Sequence, residues 1–229
     1  MNTSEDSRIT NYIELIPPMN AVVPVISNTV NSARSVLSNI VQGRDKRLVI
    51  FFGPCSIHNE DSAIEYATRL KRLQEELPQL LLIMRFFIQK PRTTVGWTGF
   101  LDDPRMDGSN DIVSGLERTI KLAHTITDKI KQPICTELLG STIEPQYLNT
   151  YLSAGFIGAR TSESQIHRNL ASGVSFPIGI KNPSDGRATV AYEGVQAARV
   201  PRSFCGIKPN GKLCAVHTSG NQDAFAVLR

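Results

Sequence analysis

Apolar residues recur along this chain in two rhythms: the three-to-four spacing of a helix with one buried face, and the short unbroken run. Asn28 to Gln42 places Val30, Ala33, Val36, Leu37, Ile40 and Val41 at helical spacing, and Gly43 supplies a C-cap. Arg47 to Gly53 is a continuous apolar run closed by Pro54, the pattern of a strand buried on both faces in a parallel sheet. The alternation then repeats. Helices are predicted over 61–77, 111–130, 144–155, 163–171 and 189–198. Strands are predicted over 80–87, 133–138, 156–161, 177–182 and 223–229. The segments 203–207 and 213–217 differ: two short strands flank Asn210-Gly211, a hairpin signal. Residues 1–28 have weak periodicity and carry Pro17, Pro18 and Pro24, which reads as an N-terminal arm. The segment 88–110 is a long loop holding Trp97, and loops of this length in compact domains are usually functional.

Strict strand–helix alternation argues an α/β fold. Six parallel-type strands make either an open sheet or most of an eight-stranded (β/α)8 TIM-type barrel. No G-x-G-x-x-G follows the first strand, so the dinucleotide-binding open sheet loses its main cue. The organisation expected is an arm and helix over 1–46, then a partial barrel over 47–229 with an inserted β-hairpin near 203–217.

Composition narrows the class. With 41% apolar and 20% charged residues, the chain is neither disordered nor a coiled coil. No apolar run approaches the roughly 20 residues of a membrane helix. Met1 to Arg8 lacks the basic start and apolar core of a signal peptide, so a cytoplasmic setting is expected. Cys55, Cys135, Cys205 and Cys214 form no C-x-x-C pair, which removes zinc ribbons and thioredoxin-type chemistry. The net charge of +4 suits an anionic ligand and is too mild to indicate nucleic acid.

What closes each apolar run is the informative feature. Arg85 lies in the second strand segment, with Lys90 and Arg92 just beyond; Glu137, Arg160, Lys181 and Arg229 end the later ones. Strand C-termini of a barrel converge on the face that holds the active site. Cations gathered there form a receptor for a small polyanion carrying phosphate or carboxylate groups. Taken singly, each is expected to be a strand-end residue bound to a neighbouring acid. Lys181 has a second possible role as a Schiff-base lysine. Cys55, directly after the first strand, reads as a thiolate nucleophile, a soft metal ligand or an inert thiol. His58 is read as a loop residue. His124 and His167 are expected at the surface or an interface, and Cys135, Cys205 and Cys214 in packing.

Four ordered motifs carry a family resemblance. Gly53-Pro-Cys-Ser-Ile-His58, Lys90-Pro-Arg-Thr-Thr-Val-Gly-Trp97, Gly158-Ala-Arg-Thr161 with Glu163-Ser-Gln165, and Lys181-Asn182 with Asp185-Gly186 closely resemble type I 3-deoxy-D-arabino-heptulosonate 7-phosphate (DAHP) synthases. The resemblance runs from about residue 8 to the end. It implies condensation of phosphoenolpyruvate with erythrose 4-phosphate, the first step of the shikimate pathway. Arg85, Lys90, Arg160, Lys181 and Arg229 would hold phosphoenolpyruvate. Lys90, Pro91, Arg92 and Thr93 would line the erythrose 4-phosphate site. Cys55 would be one ligand of a divalent metal (Mn, Fe, Co or Zn), and Glu137 would orient water. Lys90, Glu137 and Lys181 would be the catalytic set. The resemblance also implies a homo-oligomer and feedback inhibition by an aromatic amino acid at Pro145, Gln146, Val174, Ser175, Phe204 and Gly206. Gly206 favours tyrosine over phenylalanine.

The chain departs from the family at Gln89, Gly140 and Pro183, where Glu, Asp and Gly are usual. The family continues past Arg229 into two further strands bearing the remaining metal ligands. The expectation is therefore an incomplete copy: about six of eight strands, an incomplete metal site, and inactivity in isolation. Two alternatives stand beside the synthase: a non-catalytic homologue binding an aromatic amino acid or a partner subunit, and a Schiff-base aldolase working through Lys181.

Overall fold

The computed structural model describes residues 25–140, 147–207 and 212–228. Helix α1 (Asn28–Val41) begins where the Ser27 side chain accepts from the Val30 amide. Strand β1 (Leu48–Phe52) leads to α2 (Glu60–Glu76), whose first turn carries Glu60 and Asp61 behind an Asn59 cap. Acids there complement the helix dipole. Next come β2 (Leu80–Arg85), α3 (Ile112–His124), a π-helical turn over Thr125–Lys129, and β3 (Ile134–Glu137). The chain continues through β4 (Leu152–Ile157), α4 (Gln165–Gly173), β5 (Ile178–Lys181) and α5 (Ala188–Arg199). It ends with the hairpin strands β6 (Arg202–Ile207) and β7 (Leu213–Thr218), then β8 (Ala224–Val227).

The main sheet has six strands in the order β1-β2-β3-β4-β5-β8, each pair parallel. It is rolled. Phe51 on β1 and Phe225 on β8, at its opposite edges, stack with centroids 6.0 Å apart. Phe156 meets Phe51 at 4.8 Å and Phe225 at 6.2 Å. Alternate strand residues point inward: Leu81, Ile83, Cys135, Ala154 and Phe156 form an interior cluster. Leu37 of α1 joins that cluster, so the predicted first helix plugs the sheet's concave side. The outward residues pack against α2–α5 in a second, larger core. This is the curled, six-stranded portion of a (β/α) barrel, with β6 and β7 as a separate antiparallel sheet. The outer face of β1 is only partly covered: Tyr66 of α2 meets Phe52 at 6.2 Å, yet Leu48 is 68% and Phe52 52% exposed.

Three expectations are corrected. β4 starts at Leu152, inside the segment expected to finish a helix at Gly155. Ser153, Ala154 and Gly155 are small enough to suggest a helix end, but all six residues of β4 are buried, as a mid-sheet strand requires. The helix expected over 111–130 is α-helical only to His124 and then widens to π geometry. Cys205 is exposed rather than packed, because it lies on the outer face of the hairpin. The Asn210-Gly211 turn and the start of the helix expected at 144 lie outside the described residues.

Candidate active site and effector cavity

The same alternation that sends Leu81 and Ile83 inward delivers Arg85 and Phe87 to the C-terminal mouth of the sheet, with Glu137 on β3 and Lys181 on β5. The Arg85 guanidinium lies 4.4 Å from the Phe87 ring centroid and the Lys181 Nζ 5.1 Å from it. Two cations thus share one aromatic platform, a contact that favours positive charge. Burial pushes the Cys135 thiol strongly upward, while the charges of Arg85 and Lys181 pull against that shift. Arg85 Nε is buried without a hydrogen-bond partner in the structure. An orphaned buried donor is costly, and a bound anion would satisfy it.

Lys181 donates a short hydrogen bond to the Glu137 carboxylate, both side chains being mostly buried. Gly158 makes room for this pair, since a Cβ there would lie 2.8 Å from the carboxyl carbon of Glu137. A second cation centre lies beside it. Lys90 Nζ donates to Cys55 Sγ at 2.9 Å and to the Cys55 carbonyl at 3.3 Å. Lys90, with smaller contributions from Arg85 and Arg92, holds the Cys55 thiol below the ordinary range. Gly53 sits at φ +155°, and a Cβ there would press on the Arg85 backbone at 3.0 Å. This explains a glycine ahead of Pro54-Cys55. Arg92 donates to the Trp97 carbonyl at 2.7 Å, which folds the 90–97 loop on itself beside Lys90.

The structure therefore gathers Cys55, Arg85, Lys90, Glu137 and Lys181, with Pro91, Arg92 and Thr93 on the adjoining loop. Arg160 is exposed just beyond β4 and has no hydrogen-bond or ion-pair partner among the described residues. Arg229 lies outside the described residues. Sequence reasoning missed the Phe87 platform; the inward parity of 81, 83, 85 and 87 could have flagged it. The expectation that a single strand-end cation binds a neighbouring acid holds for Lys181, whose partner is Glu137.

A divalent metal needs several such donors. Among the described residues no group of three His, Cys, Asp or Glu side chains converges to hold one. Cys55 alone offers a single soft donor, so these residues do not by themselves fit a metal centre.

A separate cavity of about 710 Å³ lies between α4 and the hairpin. Val174, Ser175, Phe204 and Gly206 line it; Pro145 and Gln146 lie outside the described residues. Ser172 and Thr218 hydroxyls, 2.8 Å apart, tie the hairpin to α4 and hold the cavity closed on that side.

Residues 23–229 match the DAHP synthetase I family. The chain belongs to that family. It is 44% identical to the tyrosine-inhibited phospho-2-dehydro-3-deoxyheptonate aldolase of Candida albicans, over 98% of this chain and 62% of that protein. It is 45% identical to the Phe-sensitive phospho-2-dehydro-3-deoxyheptonate aldolase of Escherichia coli K12, over 99% of this chain and 66% of that one. The structure of the phospho-2-dehydro-3-deoxyheptonate aldolase from Francisella tularensis superposes with a TM-score of 0.84 at 42% identity, covering 88% of this chain and 59% of that one. The chain thus spans about three fifths to two thirds of the length of these relatives. None of its described helices is long and apolar enough to cross a membrane.

Proposed function

We propose that the rolled sheet binds phosphoenolpyruvate and erythrose 4-phosphate and condenses them to DAHP and inorganic phosphate, the entry step to aromatic amino acids. The observation that carries this reading is the pairing of Arg85 and Lys181 on the Phe87 ring, next to Glu137 and Lys90. Phosphoenolpyruvate carries a phosphate and a carboxylate. The Arg85 fork, with its unpaired Nε, suits one of them in two-point contact, and Lys181 acts as a point charge on the same molecule. Arg160 and Arg229 are proposed to complete this set from neighbouring strand ends. Lys90, Pro91, Arg92 and Thr93 are proposed to seat erythrose 4-phosphate.

In the reaction the alkene carbon of phosphoenolpyruvate attacks the aldehyde carbon, forming the C–C bond as the aldehyde C=O π bond breaks and its oxygen takes up a proton to become a hydroxyl, and leaving cationic character at the adjacent carbon. Water adds there, its proton passing to a base, and the C–O bond to phosphate breaks. Glu137 is proposed to take that proton, oriented by the hydrogen bond it accepts from Lys181. The cations hold both reactants in one approach geometry and stabilise the departing phosphate.

Incubating the chain with each substrate alone and with both tests the reading. Phosphate release is expected only when both are present, and Lys181→Met should lower it at least about a hundredfold; no release with both would instead favour the incomplete, inactive copy. A borohydride-trapped adduct on Lys181 would instead assign the Schiff-base route.

The α4–hairpin cavity is proposed to take a free aromatic amino acid. Its volume, its mixed apolar and hydroxyl lining, and the tyrosine and phenylalanine sensitivity in the relatives' names support this. Assembly into a homo-oligomer and a cytoplasmic location remain part of the same proposal.

A further inference from the structure

Arg34 is a cation on α1 that is only 9% exposed. Its hydrogen-bond partners include no acid. Nε donates to the Leu152 carbonyl at 2.9 Å, Nη2 to the Asn149 carbonyl, and Nη1 to Ser175 Oγ at 3.3 Å and its carbonyl at 3.5 Å. Burial lowers its pKa to about 10, so it stays charged at neutral pH. No acid compensates this buried charge; the acceptors of Leu152, Asn149 and Ser175, and the Phe176 ring 5.4 Å from the guanidinium, are what hold it. Two of its partners, Asn149 and Ser175, line the α4–hairpin cavity.

Hydrogen-bond direction propagates from it. Arginine can only donate, so Ser175 Oγ accepts from Arg34. Ser175 then spends its own proton on Asn149 Oδ1, at 2.9 Å. With its carbonyl oxygen committed to Ser175, the Asn149 side chain has its NH₂ group left to offer. No Lys, Arg, Asp or Glu lines the cavity among the described residues, so Arg34 is the full charge directly behind this part of its wall.

We infer that Asn149 donates its side-chain amide to the carboxylate of the bound amino acid, and that Arg34 is the positioning residue that fixes this orientation through Ser175. The inference rests on the amino-acid reading of the cavity and adds the group that selects the carboxylate. It also ties the ligand to the barrel wall: the Leu152 carbonyl opens β4, whose Phe156 lies 5.5 Å from Lys181 Nζ.

Calorimetric binding of L-tyrosine, L-phenylalanine and tyramine, which lacks the carboxylate, to the full chain and to variants tests it. Asn149→Leu and Asn149→Asp should each weaken both amino acids by about tenfold or more while leaving tyramine within about twofold. Arg34→Met, with folding checked by thermal melting, should show the same selective loss, and Arg34→Lys a smaller one because its single ammonium cannot hold both loops. If the parent binds an amino acid and Asn149→Leu binds it equally well, the inference falls and the cavity reading stands. If Arg34→Met loses tyramine and tyrosine in parallel, Arg34 is structural and the relay falls. If the parent binds neither amino acid, the cavity reading falls and takes the inference with it.

Discussion

The interior of the rolled sheet has two ends built from the same inward-facing register, and they are chemically opposite. At the floor, Leu37, Leu81, Ile83, Cys135 and Ala154 pack without a charge among them. Two residues further along β2 and β3 the inward positions become Arg85 and Glu137, and β5 brings Lys181 beside them. Phe87 and Phe156 form the boundary, touching the apolar cluster on one side and the cations on the other. The difference teaches how a fold reserves a reactive site. Burial at the floor supplies cohesion, so the mouth can hold unsatisfied groups such as Arg85 Nε that contribute little to stability.

The largest effect expected from breaking this division is at the floor. Leu37 is fully buried and bridges α1 to the sheet. Leu37→Ala should cost about 2–5 kcal/mol, read as a lower denaturant midpoint. A loss below about 1 kcal/mol would mean that α1 is only loosely seated and that the floor is not the cohesive end. Next in size is Gly158→Ala at the mouth, where the added methyl would press on the Glu137 carboxylate. Overpacking of this kind costs about 1–3 kcal/mol, and here it should displace the Glu137–Lys181 pair and depress phosphate release more than stability. A variant that keeps full turnover would remove Glu137 from the proposed chemistry.

Much of this contrast is legible in the amino-acid sequence. Continuous apolar runs marked the strands, and the charges closing them marked one end of the sheet. Three things were not legible. Ion-pair partners depend on which strands become neighbours across the interior, so the bond between Lys181 and Glu137, 44 residues apart, had no local signal. Arg34 carries no local signal, because its acceptors come from segments more than a hundred positions away. The start of β4 was hidden by small residues whose burial follows from position in mid-sheet rather than from their own hydrophobicity. Each miss is a tertiary fact overriding a local pattern.

The smallest expected effect concerns charge alone and sharpens the division without disturbing the fold. Cys135 and Cys55 belong to the same chain and sit on opposite sides of the boundary. Burial drives the Cys135 thiol up, whereas the Lys90 hydrogen bond and charge draw Cys55 down. Thiolate is the reactive form, so iodoacetamide should label Cys55 at pH values below the ordinary thiol pKa of about 8.5 and leave Cys135 untouched. The sign follows from the cation: Lys90 favours the deprotonated sulfur, so Lys90→Met should move the Cys55 labelling midpoint to higher pH. Since Cys55 is exposed, this shift should carry little change in melting temperature. An unchanged midpoint in Lys90→Met would show that Lys90 does not govern the Cys55 thiolate. The mouth would then be organised around Arg85, Glu137 and Lys181 alone.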